Sequence, residues 1–309
     1  MFSFVRRRMY TSTIPLVIVL LGVFLLARLT GDPTNLYLPE SATAAQREAF
    51  AQSHGFDRPM IAQLLDYFKG VVHLDFGTSL RTGESASEMA LRAFPATLQL
   101  AVTTMALAIV GAVIIGCWAA YRPNSLADRF SSLLSMTAAS IPDFWFAITG
   151  VWLFAVLLGV LPTSGTDAGL LSWILPIATL MIRPLGVLTQ VVRGAMVSAL
   201  SAPYVRLARS KGAGDFRVVT HHALRNAAAP ALTVAGDLAV GLINGAVVVE
   251  AIFGWPGIGK LMIDAILQRD FAVLQAAVLL TAVSIFALNI LIDACYALLD
   301  ARVREPAKV

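Results

Sequence analysis

The chain has 309 residues, 58% of them hydrophobic and only 14% charged, with a mean hydropathy of +0.76. That balance argues against a large soluble core, and it points to a polytopic membrane protein. The net charge of +4 is not gathered into a basic patch interleaved with stacking aromatics, which sets nucleic-acid binding aside.

Uncharged runs cover residues 9–27, 93–121, 144–166 and 271–292, and two further apolar regions, about 168–192 and 226–251, each carry one or two ionisable groups. A helix needs about 20 apolar residues to cross a bilayer, so these regions predict an all-α membrane protein with six transmembrane helices. The first helix runs from about Met9 to Leu29, within an N-terminal section 1–30, and follows Arg6-Arg7-Arg8. A basic start before an apolar run also opens secretory signal peptides, but no small-residue cleavage site follows, so a retained helix is expected.

Residues 31–95 then form an extracytoplasmic segment with five basic and eight acidic groups. Ser41 to Gln52 reads as helix, Asp66 to Val72 as amphipathic, and Gly77 and Thr82-Gly83 as turns. His54 and His73 lie in this segment without clustered Asp, Glu or Cys partners, and His221 and His222 are adjacent and so diverge, so no metal site is expected. The second span (about 96–120) ends at the turn Tyr121-Arg122-Pro123-Asn124. The third (about 130–161) is broken at Ile141-Pro142-Asp143, since proline inside a helix removes a backbone bond. The fourth (170–192), fifth (227–249) and sixth (272–299) complete a membrane core at 96–300, with a tail at 301–309. Glu250 to Phe271 is expected to be an outer loop, headed by Gly254-Trp255-Pro256-Gly257-Ile258-Gly259.

Orientation follows from Lys and Arg placement. Arg6 to Arg8, the 193–225 stretch with six basic groups against Asp215, and Arg302, Arg304 and Lys308 fall on one side of six spans. That side, with both termini, is expected to be cytoplasmic, whereas 31–95 sums to −3 and suits the outside. Cys117 and Cys295 sit in apolar spans and read as small packing residues.

Three ionisable groups fall within spans: Asp143, Arg183 and Asp237. Each costs roughly 2.5–3.5 kcal/mol at a lipid-facing midplane, so they should face the protein interior or a water-filled path. Two readings stand side by side: a candidate pathway for a zwitterionic peptide, and a structural one in which Arg183 and Asp237 form a buried pair or the groups lie near the membrane interface. Gly254 to Lys260 fits the G-x-x-x-x-G-K part of a phosphate-binding loop. Leu261 follows where Ser or Thr would ligate Mg²⁺, and the segment follows an apolar span rather than a strand, so it is not read as one. No Ser/His/Asp constellation or acid/base pair of carboxylates is evident, and no catalytic residue is assigned.

The cytoplasmic loop 193–226 is the most informative stretch. Tyr204, Leu207 and Ala208 share one face of a short helix, Gly212 and Gly214 stop it, and a second basic helix runs from about Phe216 to Asn226. A stubby helix closed by glycine suits a groove in a partner protein; an amphipathic helix resting on the membrane surface is the alternative.

The residues YVRLARSKG (204–212) and HALRNAAAP (222–230) resemble the EAA loop of binding-protein-dependent ABC importers, in the oligopeptide/dipeptide/nickel branch. Ala208, Gly212 and Leu224 fit its alanine, glycine and leucine; Arg206 replaces the leading glutamate, and His222 and Arg225 also depart as they do in that branch. RLTGDP (28–33), GFDRP (55–59), LDFGTS (74–79), FPATL (94–98), VVE (248–250), FGWPG (253–257) and ILQRD (266–270) resemble further signatures of the family in the same order. The long segment between the first two helices is similar to that of its B-type member.

The resemblance implies a type I ABC importer permease fold in the bacterial cytoplasmic membrane, with the last five spans as its core. It implies coupling to ATPases through Tyr204, Arg206, Leu207, Ala208, Lys211, Gly212 and Leu224, and contact of Trp255, Pro256 and Gly257 with a binding protein. The implied partners are a second, homologous permease as heterodimer, two cytoplasmic ATPase subunits and an extracytoplasmic substrate-binding protein. ATP and Mg²⁺ would sit on the ATPases, with no cofactor in this chain. Di- and oligopeptides are the expected cargo, with nickel, glutathione or haem as alternatives. An ion-coupled secondary transporter using Asp143, Arg183 and Asp237 is the rival of another class.

Overall fold

The computed structural model describes residues 14–15, 17–25, 38, 41–53, 55–79 and 81–299. The Arg6–Arg8 cluster, Arg28 to Pro33, His54 and the basic residues of the tail lie outside them, as do both ends of the first expected span, which is helical at 17–25. Among the described residues ten helices follow: α1 (Ala44–Ser53), α2 (Met60–His73), α3 (Ala86–Tyr121), α4 (Leu126–Ser140), α5 (Asp143–Gly150, continued by a π-helical Val151–Leu157), α6 (Leu171–Ser201), α7 (Pro203–Ser210), α8 (Asp215–Phe253, π-helical at Val218–Ala223), α9 (Ile258–Gln268) and α10 (Phe271–Leu299). Four of them are long and apolar enough to cross a bilayer, and α4 with α5 makes a fifth crossing if the bent pair counts as one span.

The chain divides into two units. In the first, Met1–Pro95 with Pro256–Ala287, Ala86, Ala90 and Ala93 form a stripe along the start of α3. They pack with Ile258 and Ala265 of α9 and with Val273, Ala276 and Ala277 of α10. Small residues at i, i+4 and i+7 let helix backbones approach closely. This packing explains why α3 begins ten residues before the expected 96 and carries Pro95 inside it. The expected outer loop 250–271 is corrected too: α9 occupies its second half, ended by Arg269 at a left-handed φ of 56°. Asp270 follows, buried, and accepts from the Ser79 hydroxyl.

The second unit, Ala96–Trp255 with Leu288–Val309, is organised around α6, which packs on α4, α5 and α8. Leu175, Leu180 and Leu188 of α6 meet Ala147, Leu242, Ala246, Val249 and Phe253 in one apolar cluster. A second cluster joins Val192, Met196 and Ala199 to Ala120, Ala223 and Ala227. Burial of Met196 and Ala199 carries α6 nine residues past its expected end at Val192. A β-carbon at Gly116 would stand 2.8 Å from Val192, and one at Gly186 would stand 2.9 Å from Ala138 Cβ and Ser135 O, so these contacts demand glycine.

The expected break in the third span is present. Ile141 and Pro142 are extended, because the residue before a proline avoids the α region, and the two halves bend by 100°. Its first half starts at Leu126 rather than 130, where the Ser125 hydroxyl accepts from the Asp128 N–H at 3.3 Å. The second basic helix and the fifth span, expected as separate pieces, are the single 39-residue α8.

Candidate functional site

Between α6 and α8 the chain makes a tight helical hairpin. Ala202 is extended and Pro203 takes the first helical position of α7, where its missing N–H costs nothing. At the other end Gly212 adopts φ +84°. Its N–H bonds the Arg209 carbonyl at 2.9 Å, and the Ala213 N–H bonds the Ala208 carbonyl at 3.1 Å, closing a Schellman motif. Gly214 does not help to stop α7: it is extended (φ −67°, ψ 156°) and starts α8.

The hairpin has an inner and an outer side. Val205 and Val218 are fully buried and anchor it. Tyr204 is 40%, Leu207 57% and Phe216 83% exposed, and Arg206 and Lys211 are exposed beside them. Ala208 is half-buried, and half-buried Leu224 packs onto the Val192–Met196 cluster. Sequence reasoning missed Val205, Val218 and Phe216. Periodicity groups Tyr204 with Leu207 and Ala208, yet it does not say that most of this face turns outward. Tyr121, at the end of α3, donates its O–H to Asp215 Oδ2 at 2.6 Å, and Arg209 Nη2 stands 3.6 Å from Asp215 Oδ1.

The three ionisable groups of the spans do not form one cluster. Asp143, at the start of α5, is half-buried, with Oδ2 3.6 Å from where a β-carbon on Gly245 of α8 would lie. Arg183 and Asp237 are exposed on α6 and α8 and do not form an ion pair, so the buried-pair reading is set aside. Each belongs to a polar face. On α8, Asn226, Thr233, Asp237, Gly241 and Asn244 are exposed at three- to seven-residue spacing; on α6, Arg183, Gln190, Gly194 and Ser198 are exposed likewise. Lipid contact along such faces is costly, so they require water or protein.

The corner after α8 corrects an expectation. Trp255 is only 3% exposed, donates its indole N–H to the Ala96 carbonyl at 3.1 Å and meets Trp173 edge-on at 4.6 Å between ring centres. Gly257 is buried as well, which leaves Pro256 as the exposed member of the three. The reason is capping: Gly254 at φ +61° ends α8 and turns the indole inward, with the Trp255 N–H on the Glu250 carbonyl at 2.9 Å. The phosphate-loop lookalike therefore follows a helix rather than a strand, and its Lys260 pairs with Asp264.

A helical membrane core interrupted by an exposed basic hairpin defines the class of multi-pass membrane proteins, and the comparisons give the family. Residues 112–305 match the model of the binding-protein-dependent transport system inner membrane component, and the chain belongs to that family. It is an inner-membrane, multi-pass protein. It is 36% identical over 296 residues to a putative peptide transport system permease protein of Brucella abortus (strain 2308), covering 94% of each chain. It is 34% identical to the oligopeptide transport system permease protein AppB of Bacillus subtilis (strain 168), covering 97% of this chain and 98% of the relative. It is 36% identical to the glutathione transport system permease protein GsiC of Salmonella typhimurium (strain LT2), covering 98% and 99%. Among solved structures, the MetNI methionine ABC transporter in an inward-facing conformation aligns with a TM-score of 0.57 at 16% identity, covering 69% of this chain and 96% of that one. An amino acid ABC transporter aligns at 0.54 and 13%, covering 68% and 94%. At such identities the likeness speaks to the fold.

Proposed function

We propose that this chain is one permease of an ATP-driven importer of short peptides. The observation that carries the reading is the 203–217 hairpin. It places Tyr204, Leu207 and Phe216 outward among Arg206, Lys211 and Arg217, a basic apolar knob on a family member whose relatives are named for peptide and glutathione transport. Two ATPase subunits, carrying the ATP and Mg²⁺, dock on this knob and on its counterpart in a second, homologous permease. The first span completes six, both termini lie in the cytoplasm, and an extracytoplasmic binding protein delivers cargo to the 31–95 segment and to the loop around Pro256.

The polar faces of α6 and α8 turn toward the partner permease and line the path. Arg183 and Asp237 supply opposite charges for the termini of a zwitterionic peptide, and Asp143, half-buried at the start of α5, is the third pathway candidate. Glutathione, itself a tripeptide, fits the same path. Alternating access follows as the ATPases close and push the hairpins.

The test is isolation of the tagged chain in mild detergent from its native host, with ATP hydrolysis assayed on the eluate. Recovery of a second permease and ATPase subunits, lost when Phe216→Asp is introduced without loss of expression, is expected. A chain that emerges alone, under conditions that keep known importers whole, would put the secondary transporter in its place. An Asp237→Asn variant that inserts normally and leaves uptake and specificity unchanged would remove Asp237 from the path.

A further inference from the structure

The turn between α3 and α4 is fastened at both ends to helices far away in sequence. At its start Tyr121 donates to Asp215, 94 residues on, and the same carboxylate faces Arg209 across the Gly212 turn. One acidic group thus bridges the two arms of the hairpin and catches the end of α3. At its other end Asp128 is 3% exposed and accepts the Arg193 guanidinium at two points, one of them Nη2 to Oδ2 at 2.8 Å. The Asn124 N–H adds a third bond to that carboxylate at 2.8 Å, from a residue at φ +63°. The turn is therefore braced internally as well as at its ends.

We propose that the 121–128 turn is a strut that carries movement of the hairpin to α6, with Tyr121 and Asp215 as the input joint and Asp128 with Arg193 as the output joint. Val205 and Val218 hold the hairpin by apolar burial, which is non-directional and tolerates sliding. Charge-assisted hydrogen bonds fix distance and angle, so they transmit a push that apolar contacts absorb. The joints differ in character. The input joint is exposed, with Arg209 half-exposed and Asp215 60% exposed, and pairs of that kind are weak in water and able to re-form. The output joint is bidentate on a buried carboxylate, with the Asp128 side chain 4% and the Arg193 side chain 31% exposed, so the turn and α6 move together. Tyr121, Asp215 and Arg193 are positioning residues, acting through the hairpin.

The inference rests on the reading of the hairpin as the place where ATPases push. Its test uses the whole importer, both permeases with ATPases and binding protein, in proteoliposomes, with ATP hydrolysis and peptide uptake measured on the same vesicles. Tyr121→Phe keeps the ring and deletes the donor. Hydrolysis is expected to continue while peptide taken up per ATP falls at least about fivefold. Asp215→Asn should do the same, Asp215→Glu should restore much of the ratio, and the double variant should be no worse than either single one, since all act on one joint. An unchanged ratio in Tyr121→Phe and Asp215→Asn overturns the strut. So does a loss of hydrolysis and uptake together with loss of the ATPases from the purified complex, which would make these residues part of docking. Failure of the underlying reading looks different: the unaltered complex itself would lack ATPases or ATP-dependent uptake.

Discussion

Two glycine-capped corners of this chain begin alike and end differently. Gly212 closes α7 and Gly254 closes α8, each in the left-handed region with the next N–H reaching back to a helical carbonyl. Around the first corner Leu207 and Phe216 stay in the open; after the second, Trp255 goes fully inward. An apolar side chain left exposed on a basic hairpin adds to the surface, whereas the same chemistry folded under a helix end is a cork in the core. The capping motif dictates only that the chain turns. What the following residues do depends on whether a neighbouring helix offers a cavity, as α6 does with Trp173.

Four experiments break or sharpen that contrast. Trp255→Ala has the largest expected effect, since it empties an aromatic site and removes the indole N–H bond to the Ala96 carbonyl, so thermal unfolding in detergent should show a loss of about 3–5 kcal/mol. If the variant were as stable as the parent and only binding-protein affinity fell, the cork would have to be read as a surface instead. Phe216→Asp leaves the core untouched, and the expected result is normal stability with ATPase subunits missing from the purified complex. Gly212→Val puts a β-branched residue at φ +84°, at a cost of about 1–3 kcal/mol confined to the hairpin. Hydrogen exchange should accelerate across 203–217 while α6 keeps its protection.

The smallest effect belongs to Tyr67 of α2, whose hydroxyl is shut away with no hydrogen-bond partner among the described residues. Tyr67→Phe should be neutral or slightly stabilising in a melting experiment. Burial pushes its phenol up to about 12. A raised value means the neutral form is favoured when folded, so this contribution is complete below the ordinary phenol value of about 10 and fades as pH climbs toward 12. A phenolate signal for this residue already complete near pH 10 would contradict its burial.

The residues that were legible in advance share a local cause. A bilayer demands long uncharged runs, so four crossings and the broken one were readable from hydropathy. Pro142 dictates its break through the residue before it, and Gly212 its corner through the absence of a β-carbon. Other features had no local signal. The alanine stripe Ala86, Ala90 and Ala93 is uninformative until α9 and α10 are there to receive it, so the start of α3 was set ten residues late. The outward direction of Tyr204 and Leu207 was hidden for the same reason, since a periodic face has no sign until its inner anchors, Val205 and Val218, are placed.

The sequence by itself thus determined the solvent this chain lives in, the approximate places of its main crossings, its family and the glycine corner at Gly212. Tertiary structure alone decided that Trp255 is core, that Arg183 and Asp237 stand apart on exposed faces, and that Asp128 clasps Arg193 across 65 residues. Hydropathy and backbone preference act over a few residues and are written in order along the chain. Contacts between distant side chains depend on which helices meet, and only the packed structure fixes that.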